Sequence, residues 1–425
     1  MIERRRTVLV TDAGRGSAIA FVRSLGAKGW RVIAADCDEG SPGFHSRYAD
    51  ERFVYPAPRR SPRAFVEALH GLVHSRPIDL IVPVTDECIH PLDHARARFE
   101  GLTRLAIAPT EALAATTDKQ RTVELARRLG VPVPETRLVA GVAEARAAAA
   151  ELTFPLVVKP CVSRRYLPDE DRFELGAVSF ARDLSEVEAR VAASGQPVLL
   201  QEYERGTGVG VECLAREGEV LQAFQHRRLA EIPVTGGASA WRESTELDPG
   251  LLEHARALIR ALNWTGLVMV EFKRGRRPWL VEINGRVWGS LPLACLAGVD
   301  FPGALAELYC PSSASPHANG ANGANGTNGA HALATPGYRV GLRAYNLELM
   351  LSWIAQVMLG RARHPWLPRP GRARAFSALA GLLDPAQKSD LSGGRDPTPR
   401  LYEAVRIARH FVGKAGKLGA PGEPS

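Results

Sequence analysis

The residues best placed for chemistry lie in one predicted β-hairpin, LVMVEFKRGRRPWLVEINGR at 267–286. Its pattern sets Glu271 directly opposite Glu282, where the side chains of facing residues lie only about 5 Å apart. Asn284 is two residues beyond Glu282 and therefore on the same face of the strand. Two carboxylates and an amide oxygen are hard ligands that suit Mg²⁺. The sequence therefore predicts a magnesium site on this face; a solvated acidic strand face is the alternative.

The register of this hairpin also predicts where its other side chains point. With the turn at residues 276–277, Lys273 faces Leu280. Val281 and Ile283 point to the opposite face, which has the apolar character of a core. Arg286 is the next residue along the acidic face, so we expect it to bind an anion beside the metal.

Two lysines are candidates for binding an anionic ligand. Lys159 ends the apolar strand FPLVVKP, and Lys119 lies in a predicted helix upstream of that strand. An ammonium group at the end of a buried strand is well placed to meet a phosphate. For each lysine, an ordinary position on the surface is the alternative.

Two further segments have the composition of nucleotide- and anion-binding sites. QEYERG, at 201–206, ends a strand in a glutamate-rich hinge that can offer backbone groups to a base and a carboxylate to ribose hydroxyls. Glu212 follows in the next strand and could serve the ribose or the metal. Arg227 and Arg228 precede a loop with two glycines, a combination that suits phosphate or carboxylate binding.

The N-terminal segment TDAGRGSAIA resembles a dinucleotide-binding fingerprint, with Gly14, Gly16 and then Asp36 following at about the expected spacing of 20 residues. However, Ile19 occupies the place of the third glycine, where helix–strand packing requires a small residue. A lone G-x-G pattern is therefore weak support for a nicotinamide site.

The segment TDECIH follows another predicted strand of the same domain. Ligands collect at the carboxyl ends of parallel strands, so Asp86 and Glu87 are candidates for binding an amine. Capping of the following helix by Thr85 or Asp86 is the alternative.

Two kinds of architecture carry these residues. Over 7–108, short β-like runs alternate with helices, which predicts a parallel sheet with helices on both faces. A helix follows over about 117–129, and the elements from there to about 310 are of the α+β type. We therefore expect an α/β domain at 1–111 and an α+β domain at 112–310, with subdomains at about 112–200 and 201–310.

The rest of the chain differs in composition. Segment 311–336 contains A-N-G repeats and few apolar residues, which predicts a disordered linker. Residues 337–425 form a basic, mostly helical C-terminal extension with 14 Lys and Arg against 6 Asp and Glu, an excess equal to the net charge of the whole chain, +8. Solvated arginines explain this excess most simply, and contact with nucleic acid or anionic lipid is the alternative. Because no aromatic-basic RNA motif accompanies the excess, we expect no specific nucleic-acid partner.

The cysteines and the hydropathy pattern bear on the compartment. The six cysteines form no C-x-x-C pair, which argues against a disulfide framework and a zinc site. No apolar stretch approaches the roughly 18 residues of a transmembrane helix, and the first apolar run is too short for a signal peptide. We therefore expect a cytoplasmic protein without a transmembrane segment.

Taken in order, the motifs resemble those of ATP-grasp carboxylate–amine ligases, in particular the carbamoyl-phosphate-synthase-like branch. They are DKQRT, GVPVPET, FPLVVKP, LLQEYERGTGVGVE, FQHRRL, TGGAS, VEFK and VEINGR. The resemblance covers about 112–310, and 1–111 resembles the domain that precedes ATP-grasp in this family. One departure is the stretch after Lys159, CVSRRYLPDEDRFELGAV, with a single glycine where many relatives have a glycine-rich loop.

The resemblance implies an ATP site between the two α+β subdomains. The implied nucleotide-binding residues are Lys119 and Lys159 at the phosphates, Gln201, Glu202 and Tyr203 at the adenine, and Glu204 or Glu212 at the ribose. The implied ligands of Mg²⁺, or of Mn²⁺ in its place, are Glu271, Glu282 and Asn284. The implied catalytic arginines are Arg228 and Arg286, the latter at the acyl phosphate.

We therefore expect a ligase that uses ATP to phosphorylate a small-molecule carboxylate and couples it to an amine or another nucleophile, releasing ADP and phosphate. A homodimer is compatible with this function. One alternative is an NAD(P)-dependent reductase using the N-terminal domain, which leaves the Glu271, Glu282 and Asn284 group unexplained. The other is an ATP-binding scaffold without catalytic activity.

Overall fold

The structure is a computed structural model that describes residues 4–311, 337–360, 364 and 366–418, except for the side chains of 409–418. The predicted disordered linker, 311–336, lies outside the described residues apart from Pro311.

The N-terminal domain is the expected parallel sheet with helices. Its strands are β1 (Thr7–Val10), β2 (Arg31–Asp36), β3 (Glu51–Val54), β4 (Leu80–Val82) and β5 (Arg104–Leu105), in the order β3-β2-β1-β4-β5. Its helices are α1 (Gly16–Ala27), α2 (Pro62–Ser75) and α3 (Asp86–His94). The strand order reverses between β1 and β4, so the crevice beyond their carboxyl ends is the natural ligand position in this domain.

Two helices lead into the second domain where the sequence predicted one. They are α4 (Thr110–Thr117) and α5 (Lys119–Arg128). The break is at Asp118, whose Oδ1 accepts hydrogen bonds from the backbone N–H groups of Gln120 and Arg121, at 2.8 and 3.3 Å. Asp118 is therefore the N-cap of α5, and it sets Lys119 at the first position of that helix.

The first subdomain of the second domain has a core of its own. Its elements are β6 (Thr136–Val139), α6 (Val142–Glu151), β7 (Leu156–Pro160), β8 (Arg164–Leu167), β9 (Arg172–Leu175), β10 (Ser179–Ala181), α7 (Leu184–Ser194) and β11 (Val198–Glu202). Four strands form an antiparallel sheet in the order β10-β7-β11-β6, whose buried side chains pack on α6 and α7. The glycine-poor stretch after Lys159 forms a separate hairpin, β8–β9.

The second subdomain is built on a larger sheet. Its elements are β12 (Thr207–Arg216), β13 (Glu219–Ile232), β14 (Ala238–Thr245), α8 (Pro249–Ala261), β15 (Gly266–Arg274), β16 (Pro278–Asn284), α9 (Leu291–Ala297) and α10 (Phe301–Tyr309). One face of this sheet shares a hydrophobic core with α2 and α3 of the N-terminal domain. These two parts therefore form one packed body, and the first subdomain is joined to it by the segment from α5 to β6 and by the crossover from β11 to β12.

The C-terminal extension completes this sheet. Its elements are β17 (Arg343–Tyr345), α11 (Leu347–Met358), α12 (Arg372–Gly381), β18 (Lys388–Ser389) and α13 (Thr398–Leu418). β17 pairs with β14, and β18 with β17, giving the order β16-β15-β12-β13-β14-β17-β18. Among the described residues no single helix is long and apolar enough to cross a membrane; α9 and α10 meet that test only as a pair bent by 103°.

Candidate active site

The hairpin of β15 and β16 brings the two predicted carboxylates together, because Glu271 pairs with Glu282. The register shifts between Glu271 and Phe272, so Leu280 faces Phe272 and not Lys273. The predicted register near the turn was therefore wrong by one residue, since alternation along a strand does not reveal a β-bulge. Val281 was also predicted wrongly, as it is 37% exposed and not part of a core.

Asn284 joins the two carboxylates. Its Nδ2 donates hydrogen bonds to Oε1 of Glu271 at 3.0 Å and to Oε1 of Glu282 at 3.2 Å. One amide group therefore spans both carboxylates, and all three side chains converge on one point of the sheet face. The two carboxylates match the preference of Mg²⁺ for oxygen ligands, whereas Asn284 presents its Nδ2, and not its oxygen, to them in this conformation.

The positive charge nearest this pair comes from Arg228 on β13. Its guanidinium forms an ion pair with Glu271 and a second one, at 2.9 Å, with Glu231. To reach Glu271, the Arg228 side chain crosses Gly208, where an added Cβ would lie 2.8 Å from Arg228 Cδ. The missing side chain at Gly208 is thus what allows Arg228 to reach the carboxylate pair.

The charges around the carboxylate pair and its burial shift the pKa of Glu271. Burial raises the pKa of Glu271 to about 7, since Arg228 offsets only part of the lost hydration and Glu282 adds a like charge. Near neutral pH this carboxyl therefore binds a proton readily. A divalent cation between Glu271 and Glu282 would remove the same repulsion.

Two cavities of about 40 and 130 Å³ adjoin this group, and both are lined by Lys119 and Glu282. The smaller one also contains Lys159 and Gln201, from the first subdomain. Burial lowers the pKa of Lys159 to about 8, with Glu282 acting in the opposite direction. The structure thus brings both predicted lysines to the carboxylate hairpin, although they belong to different elements.

Arg286 lines the larger cavity and faces the N-terminal domain. Its Nε lies 3.3 Å from Oδ2 of Asp86, at the start of α3. Arg164, on the β8–β9 hairpin, contacts both Asp86 at 3.1 Å and Glu87 at 3.0 Å. The two acidic residues predicted to bind an amine therefore lie beside the candidate site, where they are paired with arginines.

The hinge segment connects the two subdomains, as its sequence suggested. Gln201 is buried and its Nε2 donates to Oγ1 of Thr136 at 2.9 Å. The Glu202 carboxylate accepts a hydrogen bond from the backbone N–H of Thr153 at 2.8 Å. Tyr203 lies under the ammonium of Lys273, 4.6 Å from its ring centroid. Of the hinge residues Gln201, Glu202, Tyr203 and Glu204, only Gln201 lines either of the two cavities.

Glu212 differs from the expectation of a ribose or metal ligand. Its side chain is fully buried and lines neither cavity. Oε1 accepts a hydrogen bond from Ser290 Oγ at 2.7 Å and lies 2.9 Å from Nδ1 of His226. The side chain is therefore inaccessible to a nucleotide in this conformation, and it links β12 and β13 to the segment after Arg286.

Sequence reasoning missed three polar residues of this region: His226, Lys273 and Ser290. His226 lies two positions before Arg228 on β13, so the same alternation that places Arg228 on this face also places His226 there. Lys273 is likewise two positions beyond Glu271. Ser290 gave no local signal, because its contact with Glu212 spans 78 residues of sequence.

In the segment that resembles a dinucleotide-binding fingerprint, other atoms of the protein contact both glycines. The backbone N–H of Gly14 donates to Oδ2 of Asp36 at 2.6 Å. Gly16, the first residue of α1, packs against Asp390 and Leu391 of the C-terminal extension. The position where a dinucleotide pyrophosphate would meet the helix N-terminus is therefore covered by protein atoms, which counts against the reductase alternative.

Within the described ranges, no group of three or more His, Cys, Asp or Glu side chains is arranged to hold a metal ion. Mg²⁺ in nucleotide sites is commonly bound through one or two carboxylates together with phosphate oxygens. Glu271 and Glu282 supply that number of carboxylates.

The sequence is similar to known proteins over most of its length. Residues 194–324 match the family model described as ATP-grasp in the biosynthetic pathway with Ter operon. The carbamoyl phosphate synthase large chain of Archaeoglobus fulgidus is 23% identical over 310 residues, which cover 69% of this chain and 28% of that relative. The chain thus spans less than a third of the length of this relative.

The fold is similar to solved structures as well. Biotin carboxylase of Campylobacter jejuni, in complex with an ATP analogue, superposes with a TM-score of 0.59 and 17% identity, over 72% of this chain and 71% of that one. The second structure is the biotin carboxylase domain of the 2-oxoglutarate carboxylase of Hydrogenobacter thermophilus, bound to MgADP, ADP and bicarbonate. It superposes with a TM-score of 0.57 and 19% identity, over 72% of this chain and 70% of that one.

Proposed function

We propose that the chain belongs to the ATP-grasp family and is an ATP- and Mg²⁺-dependent ligase that phosphorylates a carboxylate and couples it to an amine or another nucleophile, with release of ADP and phosphate. The observation that carries the proposal is the convergence of Glu271, Glu282 and Asn284 beside two lysines and Arg286. Bound Mg²⁺ and ATP would supply the phosphoryl group and the charge neutralisation that its transfer requires.

The chain's own residues divide this work by position. Lys119 and Lys159 line the cavity next to Glu282, so their ammonium groups are placed to bind phosphate oxygens. Glu271, Glu282 and Asn284 would hold the metal ion between them. Since phosphoryl transfer to a carboxylate brings two anions together, most of the catalysis comes from positioning and electrostatics.

Arg286 is placed to bind the carboxylate substrate. It lines the cavity that also contains Lys119, Glu282 and Asn284, so an acid bound to its guanidinium would lie next to the metal and phosphate positions. Asp86 forms an ion pair with Arg286. A substrate carboxylate would compete with Asp86 for that guanidinium. Asp86 would keep its contact with Arg164 and would gain the capacity to accept a hydrogen bond from the incoming amine.

A trapping assay tests this function without knowledge of the natural nucleophile. The protein is incubated with Mg²⁺, ATP, a panel of carboxylic acids and hydroxylamine, which converts acyl phosphates to hydroxamates. We expect ADP, phosphate and a hydroxamate of one class of acid. Arg286→Ala should abolish hydroxamate formation while ATP still raises the melting temperature by mass action. Arg276→Ala, at the exposed hairpin turn, is the matched control.

Three results would contradict the proposal. Formation of AMP and pyrophosphate would assign a different activation chemistry. Stabilisation by NADPH and not by ATP with Mg²⁺ would favour the reductase. Binding of ATP without turnover in the presence of the whole acid panel, in a preparation free of inactive protein, would favour the scaffold.

A further inference from the structure

Helix α12 packs against the protein through its small residues and leaves its large apolar residues in solvent. Phe376, Leu379 and Leu383 are 58%, 48% and 87% exposed. Phe376 and Leu379 lie three residues apart and therefore on one side of the helix, and Leu383 follows in the turn directly after it. The residues of α12 that are buried are Ala375, Ala378 and Gly381. A surface helix normally shows the reverse arrangement, so α12 presents an apolar stripe with no described partner.

The sequence that leads into and through α12 is strongly basic. Between 361 and 383 the sequence contains five arginines and no Asp or Glu. Two of them, Arg372 and Arg374, lie in the first turn of α12 and are exposed. The region from 337 onward carries the whole +8 excess of the chain. Apolar side chains beside clustered arginines are the composition of a helix that lies in a membrane interface.

Other occupants of the apolar stripe fit less well. The longest segment outside the described residues, 312–336, contains one large apolar residue, Leu333, so it has little apolar surface with which to cover the stripe. In a two-fold contact with a second copy, the same patch would face itself and would set one arginine cluster against another. Nucleic acid would satisfy the arginines but would leave the leucines and Phe376 without an apolar environment.

We propose that α12 docks this protein on an anionic membrane surface. Phe376, Leu379 and Leu383 enter the boundary between headgroups and acyl chains, while Arg372 and neighbouring arginines contact lipid phosphates. The interaction combines the burial of apolar area with electrostatic attraction, and both contributions are needed for stable binding. The active site is built from other elements, so this proposal does not depend on the proposed reaction.

Co-sedimentation with vesicles tests the docking. The full chain is mixed with vesicles of phosphatidylcholine alone or of phosphatidylcholine with phosphatidylglycerol. We expect binding to the anionic vesicles, a steep decrease with added salt, and little binding to the neutral vesicles. Leu383→Ser should reduce partitioning at least about tenfold, because each CH₂ group that leaves the bilayer contributes to binding. Since Leu383 is exposed, the melting temperature should not change.

Two controls separate the contributions. Leu102→Ser, which alters an exposed leucine of the N-terminal domain, should bind like wild type. Arg372→Gln should weaken binding to anionic vesicles and reduce its salt dependence. Equal binding by wild type and Leu383→Ser, or equal binding to neutral and anionic vesicles, would overturn the proposal. So would a concentration-dependent dimer in sedimentation equilibrium that Leu383→Ser dissociates, since a second copy would then cover the apolar stripe.

Discussion

Lys159 is a residue of the candidate site whose charge state is expected to change within the range of ordinary assay pH. Burial lowers its pKa to about 8, so the ammonium is present at lower pH and is lost as pH rises through that value. Bound phosphates favour the ammonium form. We therefore expect the affinity for ATP, measured by titration calorimetry, to fall between about pH 7 and 9. Lys159→Ala should weaken ATP binding at pH 7 by at least about 1.5 kcal/mol.

Lys159→Arg is the matched control for this prediction. Arginine stays protonated over the whole range, so this variant should bind ATP with little dependence on pH. A wild-type affinity that is flat over this range, or an arginine variant whose affinity falls as steeply as the wild type's, would assign the phosphate contact to another group.

Glu282→Gln separates the charge of the carboxylate pair from its shape. The amide keeps the size of the side chain but removes one of two facing negative charges. Turnover should be lost and the Mg²⁺ requirement of any remaining activity should rise. Because repulsion with Glu271 disappears, the metal-free variant should be at least as stable as wild type in urea. Glu253→Gln, on the exposed side of α8, is the control, and full activity of Glu282→Gln would disprove the metal role.

At the scale of elements, the cap of α5 positions Lys119. Asp118 accepts two backbone hydrogen bonds at the start of this helix, and replacement of such a cap by alanine costs about 1 kcal/mol. Asp118→Ala should therefore lower the free energy of unfolding by about that amount. It should also weaken ATP binding, because the first turn that carries Lys119 frays. Asp118→Ser retains a capping oxygen, so it should recover most of the stability and most of the affinity for ATP. If Asp118→Ala and Asp118→Ser bound ATP equally well, the cap would not be what positions Lys119.

At the scale of the whole molecule, the C-terminal extension is tied to both other parts by buried charges. Arg242 on β14 forms an ion pair with Asp390, their side chains being 1% and 3% exposed. Asp396 accepts hydrogen bonds from Arg23 Nε and Ser46 Oγ, each at 2.8 Å, in the N-terminal domain. The extension is therefore part of the fold that the N-terminal domain and the second subdomain form together, and is not an independent appendage.

Removal of one partner tests this integration. Asp390→Ala leaves Arg242 buried without its counter-charge, which typically costs about 3–5 kcal/mol. Urea unfolding should show a loss of this size, with a single transition if the extension and the body unfold together. Glu39→Ala, an exposed acidic residue, should be neutral. A separate early transition in wild type would show instead that the extension unfolds independently.

The sequence alone predicted the parts of the site that depend on local periodicity. The pairing of Glu271 with Glu282, the position of Asn284 on the same face and the alternation of strands and helices in the first domain all follow from periods of two and of about 3.6 residues. Such patterns depend only on neighbouring residues, so they can be recognised without knowledge of distant contacts.

The side-chain contacts and strand pairings between distant segments could be identified only in the tertiary structure. The contacts of Arg228 with Glu271, of Glu212 with Ser290, of Arg286 with Asp86 and of β17 with β14 bring together residues separated by tens to hundreds of positions. Burial then set the charge states, raising the pKa of Glu271 and lowering that of Lys159. The sequence therefore determined the candidate ligands and the local faces they occupy. Only the fold decided which of them share a cavity, because desolvation and Coulomb interactions depend on distance in space.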